Sequence, residues 1–216
     1  MELTISGIGT IDKAMAIISA LSVEPLALGE VVSVTGFPKP TAHRMLMALE
    51  THNLVRRDSD GRFALGSRWI QLGHASAIVH PFVAPSLPLL AALRDRTGES
   101  VQMYVRDGHE RVCVAAFDSP HELRTIVAPG ARLPLGVGSA GRLLSADSAS
   151  QDWAQSVEER QPGVASVSAA VRDRGGAVVA AISVSGPIER LGTSPGDKFG
   201  APVRSTAKQI SKRFVI

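Results

Sequence analysis

TGFPKPTAHRMLMALETHNLVRRDSDGRFALG, Thr35 to Gly66, sets a Thr-Gly break, two prolines, an amphipathic run and an arginine-flanked Asp-Gly turn in that order. Glycine accepts the left-handed backbone of a tight turn, so Gly36 ends one helix sharply. Pro38 and Pro40 suit the first turn of the next helix, where a missing N–H has no intrahelical partner to lose. Within that helix Ala42, Met45, Leu46 and Leu49 form one apolar stripe. Lys39, Thr41, His43 and Arg44 lie on the other face, followed a turn later by Met47 and Glu50. After Leu54, Val55 and Phe63 or Leu65 can face inward around Asp58–Gly61, with Asp60-Gly61 as the hairpin signal. Two helices meeting at a sharp break, then a basic hairpin, predict a winged helix-turn-helix.

Upstream, TIDKAMAIISALS carries Ile11, Met15, Ile18 and Leu21 near a helical repeat, with Thr10 as a plausible N-cap. LGEVVSVTG predicts a second short helix with Leu28, Val31, Val32 and Val34 as its apolar surface. A recognition helix needs short polar and cationic groups on its outward N-terminal half, which the third helix supplies. Arg44 and Thr41 are placed to reach base edges, whereas Arg56, Arg57 and Arg62 on the wing suit phosphates. His43 could do either or merely pack. A solvated hairpin face would explain the arginines taken alone; the ordered set of three helices and a basic wing favours DNA.

Composition sets limits. The 216 residues are long enough for two domains, and 44% hydrophobic with 4% aromatic content means aliphatic cores. The net charge of +3 says little, because residues 1–80 hold seven Lys/Arg and seven Asp/Glu. Clustering matters instead. No apolar run approaches the roughly 18 residues of a membrane span, and no signal-peptide pattern opens the chain, so a soluble cytoplasmic protein is expected. The single cysteine, Cys113, excludes an intrachain disulfide and a zinc cluster. It sits in the apolar run RVCVAAF and reads as core rather than nucleophile. His109 and His121 have no triad or metal spacing, and GVGSAG lacks the Gly-Lys-Ser/Thr ending of a Walker loop. No catalytic residue, metal or cofactor is expected.

SRWIQLGHASAI places Trp69, Ile70, Leu72 and Ile78 on a helical pattern that Pro81 breaks, a linker helix or dimer contact. PSLPLLAALRDRTG predicts a further helix ending at Gly98. The period then changes. SVQMYVRDGHERVCVAAF reads as a hairpin around Asp107-Gly108-His109, and ASVSAAVRDRGGAVVAAISVSG as another around Asp173–Gly176. RTIVAPGARLPLGVGSAGRLLSA between them suggests a strand, a loop and a short helix; APVRSTAKQISKRF closes the chain as a helix. Hairpins flanked by helices, without a repeated βαβ unit, predict an α+β domain on an antiparallel sheet. The domains expected are residues 1–66, a linker helix at 67–80, and residues 81–216.

A ligand site is also suggested. GVGSAGRLL is a glycine-rich loop entering a helix, so N–H groups of Ser139, Ala140 and Gly141 could hold a carboxylate. Ser166, Ser168, Ser183 and Ser185 alternate onto one face of their strands. An unpaired buried hydroxyl costs about 1–3 kcal/mol, so these serines need partners. Either a ligand supplies them, or they pair with neighbouring backbone or lie on a wet face.

IDKAMAIISAL, PTAHRMLMALE, GRFALGSRW, LPLGVGSAGRLLSA, and SVEERQPGVASVSAAVRD continued by ISVSGP together resemble the IclR family of bacterial transcriptional regulators over nearly the whole chain. WAQSVEERQPGVASVSA with AISVSGPIERL is similar to an actinobacterial branch associated with leucine and other amino-acid biosynthesis. The resemblance implies a winged helix-turn-helix joined by a linker helix to a GAF-like α+β sensor domain. It implies double-stranded operator DNA as partner, a homodimer or tetramer, and an organic-acid or amino-acid-related effector. Effector contacts would fall on Ser139, Ala140, Ser156, Ser166, Ser183 and Ser185, with Leu133 and Leu135 as apolar lining. Ser156 stands where an acidic residue is common. The chain departs from the family pattern at Asp152 and Arg172, and its segment between Leu144 and Trp153 is short. Two other readings stay open: a small-molecule-binding enzyme or sensor whose N-terminal domain serves assembly only, and an adaptor whose winged helix binds protein.

Overall fold

The computed structural model describes residues 6–77, 81–145 and 151–213. The chain divides into two compact units, residues 1–79 and 80–216. Unit 1 contains α1 (Gly9–Leu21), α2 (Leu28–Thr35), α3 (Lys39–Thr51), the hairpin β1 (Val55–Arg57) and β2 (Phe63–Leu65), and α4 (Arg68–Ala77). Gly36 caps α2 at φ 70°, donating its N–H to Val32 O at 2.9 Å, and Pro38 caps the start of α3. Ile17, Val31, Leu46, Val55 and Phe63 form a core in which none is more than 2% exposed. The hairpin pairs Val55 with Leu65 and Arg57 with Phe63, and Leu26 bridges to Phe63 beside it. Three helices and a two-stranded wing are therefore present.

The first helix departs from the sequence expectation. It starts at Gly9, with Ile8 rather than Thr10 in the cap position. Ser6 N–H donates to Asp12 Oδ1 and Asp12 N–H to Ile8 O, which brings the chain into the helix one turn before Asp12. Its buried face is Ala16, Ile17, Ala20 and Leu21, while Ile11 and Met15 remain about half exposed. Val34 of α2 is exposed as well. Trp69 at the start of α4 donates its Nε1–H to Leu54 O at 2.8 Å, so α4 is anchored on the wing's base. Ile78, assigned above to the same stripe, lies outside the described residues.

Unit 2 runs α5 (Val83–Thr97), β3 (Ser100–Asp107), β4 (Glu110–Phe117), β5 (Arg132–Pro134), α6 (Gly138–Leu144), β6 (Trp153–Val157), β7 (Val164–Arg172), β8 (Val178–Pro187), α7 (Ile188–Leu191) and α8 (Pro195–Arg213). Six strands make one antiparallel sheet in the order β5-β4-β3-β8-β7-β6. Period-two alternation divides it chemically. Val101, Met103, Val167, Ala169, Ile182 and Val184 face α5 and α8, where Leu90, Leu93, Phe199, Val203 and Ile210 close an aliphatic core. The intervening residues include Gln102, Ser166, Ser168, Ser183 and Ser185, and α6 packs over that second face. The edge strand β6, which carries Ser156, was not foreseen as a strand.

A partly buried ion pair ties the sheet to its flank. Arg190 grips Glu99 bidentately, Nε to Oε1 at 2.6 Å and Nη2 to Oε2 at 2.9 Å, and also donates to Leu123 O at 2.8 Å. Glu99 is 3% exposed. A side chain at Gly186 would run into the Glu99 carboxylate and the Leu191 side chain. Gly186→Ala should therefore destabilise unit 2 by about 1–3 kcal/mol through overpacking, read as a fall in the urea midpoint.

Candidate functional site

In unit 1 the outer face of α3 and the wing carry the expected side chains. Lys39, His43, Arg44, Arg56 and Arg57 are exposed, and Thr41 is half-buried. Their engagement differs. Arg57 lies 3.5 Å from Glu50 and packs its guanidinium 4.4 Å from the Phe63 ring centre, which holds it against α3. Arg62 turns instead to the start of α2, with Nε donating to Pro25 O at 3.0 Å and Nη2 meeting Glu30 at 2.7 Å. The Ala27 N–H and Arg62 hold the Glu30 carboxyl below the usual carboxylate range. Among the described residues Lys39, Arg44 and Arg56 have no ion-pair partner.

In unit 2 the serines converge beneath α6. Ser166 stands opposite Ser185, Ser168 opposite Ser183, and Ser156 opposite Ser166. Ser139 Oγ lies 2.7 Å from both Ser166 Oγ and Ser168 Oγ, and Ser156 Oγ lies 2.9 Å from Ser166 Oγ. Ser185 donates to Gln102 Oε1 at 2.9 Å. The hydroxyls of Ser139, Ser156, Ser166 and Ser168 thus bond one another, and that of Ser185 bonds a glutamine side chain. A cavity of about 30 Å³ is lined by Ser139, Ala140, Ser156, Ser166, Ser183 and Ser185, together with Tyr104, Arg111 and Arg160. That is space for a water or two.

Two N–H groups at the start of α6 are engaged within the fold. Gly138 N–H already donates to Glu159 Oε2 at 3.0 Å, and Ser139 N–H to Ser156 Oγ at 3.1 Å. Glu159 is itself held by Arg142 at 2.8 Å. The chain fills these donors because a helix start left bare inside a protein is costly. Leu133 and Leu135 pack on the cluster of Tyr104, Cys113, Leu143 and Leu144 and do not line the cavity.

One glycine of GVGSAG makes room for another side chain. A side chain at Gly141 would collide with the Arg111 guanidinium. Gly141 thus admits an arginine to which the sequence pattern assigns no role. Arg111 is 3% exposed and donates through Nη1 to Pro134 O and Val137 O. Its presence on this face depends on a β-bulge. Met103 pairs with Ala115 but Tyr104 pairs with Cys113, so one residue, Val114, is extra. A bulge shifts the alternation beyond it. Without it, Arg111 would share the aliphatic face with Ala115. Burial pushes the Cys113 thiol up to about 11 and raises the Tyr104 phenol as well. Cys113 is therefore a protonated core side chain at neutral pH.

Comparison with known proteins gives the following. Residues 75–152 and 146–212 match the family model described as "Bacterial transcriptional regulator IclR C-terminal", and residues 10–59 match "IclR helix-turn-helix domain". The chain is 33% identical to the HTH-type transcriptional regulator KipR of Bacillus subtilis over 134 residues, 62% of this chain and 54% of KipR. It is 26% identical to the transcriptional repressor IclR of Escherichia coli over 227 residues, 88% of this chain and 83% of that protein. The crystal structure of Thermotoga maritima IclR superposes with a TM-score of 0.80 at 19% identity, covering 97% of this chain and all of that one. An IclR homolog from Microbacterium hydrocarbonoxydans complexed with 4-hydroxybenzoate gives 0.77 at 14% identity, covering 95% and 100%.

The serine network makes its own prediction. Ser139→Ala removes the hydroxyl partner of Ser168, which is fully buried. Unit 2 should lose about 1–3 kcal/mol in urea unfolding. Ser205→Ala, at an exposed site on α8, should change stability by less than about 0.5 kcal/mol.

Proposed function

The chain belongs to the IclR family of bacterial transcriptional regulators, and on that premise we propose that unit 1 grips operator DNA as part of a dimer while unit 2 holds a small organic acid that adjusts the grip. The observation that carries this reading is the set of exposed cations Lys39, Arg44 and Arg56 on the outer face of α3 and the wing, which have no ion-pair partner among the described residues. A unit whose charges balance overall keeps these three out of ion pairs, where duplex phosphates and base edges can take them. Arg44 and Thr41 read bases, His43 and Lys39 flank them, and Arg56 with Arg57 holds phosphates. Arg62 acts mainly within the fold, by tying the wing to α2.

A second copy has a surface to meet. Ile8, Ile11 and Met15 lie three and four residues apart along the start of α1 and are 57, 51 and 48% exposed. Two such stripes can bury each other and place two recognition helices on a palindromic site. The organic-acid class is supported by the homolog bound to 4-hydroxybenzoate, although the identity shared with it is low. Whatever the acid, it acts only through unequal affinity for DNA-competent and DNA-incompetent arrangements. Among the described residues no helix is long and apolar enough to cross a membrane, which suits a cytoplasmic regulator.

The test is a binding titration on the DNA upstream of the protein's own gene, at several salt concentrations. Arg56→Ala should weaken binding to all sequences alike and lower the log–log salt slope by about 0.9. Arg44→Ala should cost about 1–3 kcal/mol and relax specificity at the base pair it reads. Arg62→Ala should leave the slope nearly unchanged and lower the stability of unit 1. Undiminished DNA affinity in the combined Arg44, Arg56 and Arg57 alanine variant would reject this interface.

A further inference from the structure

Arg111 poses an electrostatic problem that the fold leaves unsolved. The residue is 97% removed from solvent, taking its 3% exposure, yet among the described residues no carboxylate pairs with it. Two backbone carbonyls share its Nη1, and the Tyr104 ring centre lies 5.4 Å from its guanidinium carbon. Nε is buried without an acceptor, and no acceptor meets Nη2 among the described residues. That edge is the side on which a guanidinium takes a carboxylate through two parallel N–H bonds. The titratable groups close enough to act on Arg111 are the Tyr104 phenol, which burial keeps protonated, and Arg160, a second cation on the same cavity wall. Glu159, the nearest acid in sequence to Arg160, is occupied by Arg142 and the Gly138 N–H. Buried charges are ordinarily paired, because removing one from water without a partner costs several kcal/mol.

We infer that Arg111 is the seat of the effector's carboxylate, taken side-on by Nε and Nη2, so that the effector is an organic anion whose acid group enters the cavity first. The inference rests on reading unit 2 as the effector-binding unit, and it moves the anion site from the start of α6 to β4. It also accounts for three otherwise separate features. The bulge at Val114 carries Arg111 to the serine face, Gly141 gives its guanidinium room, and the serines leave the acid group a wall of hydroxyls.

The smallest probe of this site is formate. The full chain would be melted in sodium formate and in sodium chloride at matched ionic strength, following the unfolding of unit 2. Formate should raise the midpoint by roughly 3 °C over chloride near saturation. Arg111→Gln, which removes the charge and the fork, should abolish the difference. Arg111→Lys keeps the charge but not the fork, and should raise the half-saturating formate concentration at least about tenfold. Equal midpoints in formate and chloride would overturn the inference. So would a formate response that survives in Arg111→Gln, or an equal response to inorganic phosphate. If Arg111→Gln fails to fold by circular dichroism, the lysine variant and the wild-type anion series decide. An unaltered half-saturation in Arg111→Lys then counts against the seat. Failure of the wild-type protein to bind any DNA would reject the regulator reading and leave the formate result standing.

Discussion

A guanidinium shut away from water, with three of its five N–H donors unpaired among the described residues, is the constraint around which the second unit is organised. Almost everything near Arg111 makes sense as accommodation of that charge. Pro134 and Val137 turn their carbonyls toward it, Tyr104 lends a ring face, and glycine at 141 lets the helix backbone pass beside it. Such an arrangement is poor as a pure stabiliser, because buried charges rarely repay their desolvation. It is useful when the missing counter-charge arrives from outside. The opposite face of the same sheet packs aliphatic side chains at near-zero exposure. On the proposed anion seat, stability and sensing fall on opposite faces of a single sheet.

The first unit follows a different logic. Its core is complete by itself, and α4 is fastened to it by the Trp69–Leu54 hydrogen bond and the close approach of Gly66 to Asn53. Its functional groups cost the fold little, because they are long cations on an exposed face. Arg57 and Arg62 mark the division of labour within one hairpin. Both are wing arginines in sequence, yet Arg62 is folded into a bond with Pro25 and Glu30. A residue's sign and position did not separate the two; the distance back to α2 did.

That contrast shows how far the sequence could be read. Elements with strong punctuation were legible: Gly36 and Gly98 as left-handed helix ends, Asp58–Gly61 and Asp173–Gly176 as turns, and serines on one face of β7 and β8. The Ile11–Met15 stripe was legible as apolar but not as exposed, since periodicity reports that a face exists and not what covers it. Strand β6 was missed because WAQSV has little alternation, and it pairs through backbone at a sheet edge. Arg111 was missed for a sharper reason. Simple alternation in ERVCVAAF puts Arg111, Cys113 and Ala115 on one face, and only the bulge at Val114 separates them. No residue in that run advertises a bulge, because it lacks the glycine that often marks one.

The same electrostatics bear on how a signal could leave the cavity. A tenfold change in DNA affinity requires about 1.4 kcal/mol of difference between how well the ligand binds the two arrangements. Losing one partner of a buried ion pair costs about 3–5 kcal/mol. Supplying a carboxylate to Arg111 therefore involves more free energy than regulation needs, and only a fraction must depend on conformation. The segment placed to make it depend is short. Nη1 of Arg111 spans the carbonyls of Pro134 and Val137, at the end of β5 and the start of α6. An acid on the opposite edge of the same guanidinium fixes the direction in which those carbonyls must be met. The position of α6 over the serine face and the occupancy of the anion seat are then two readings of one planar group.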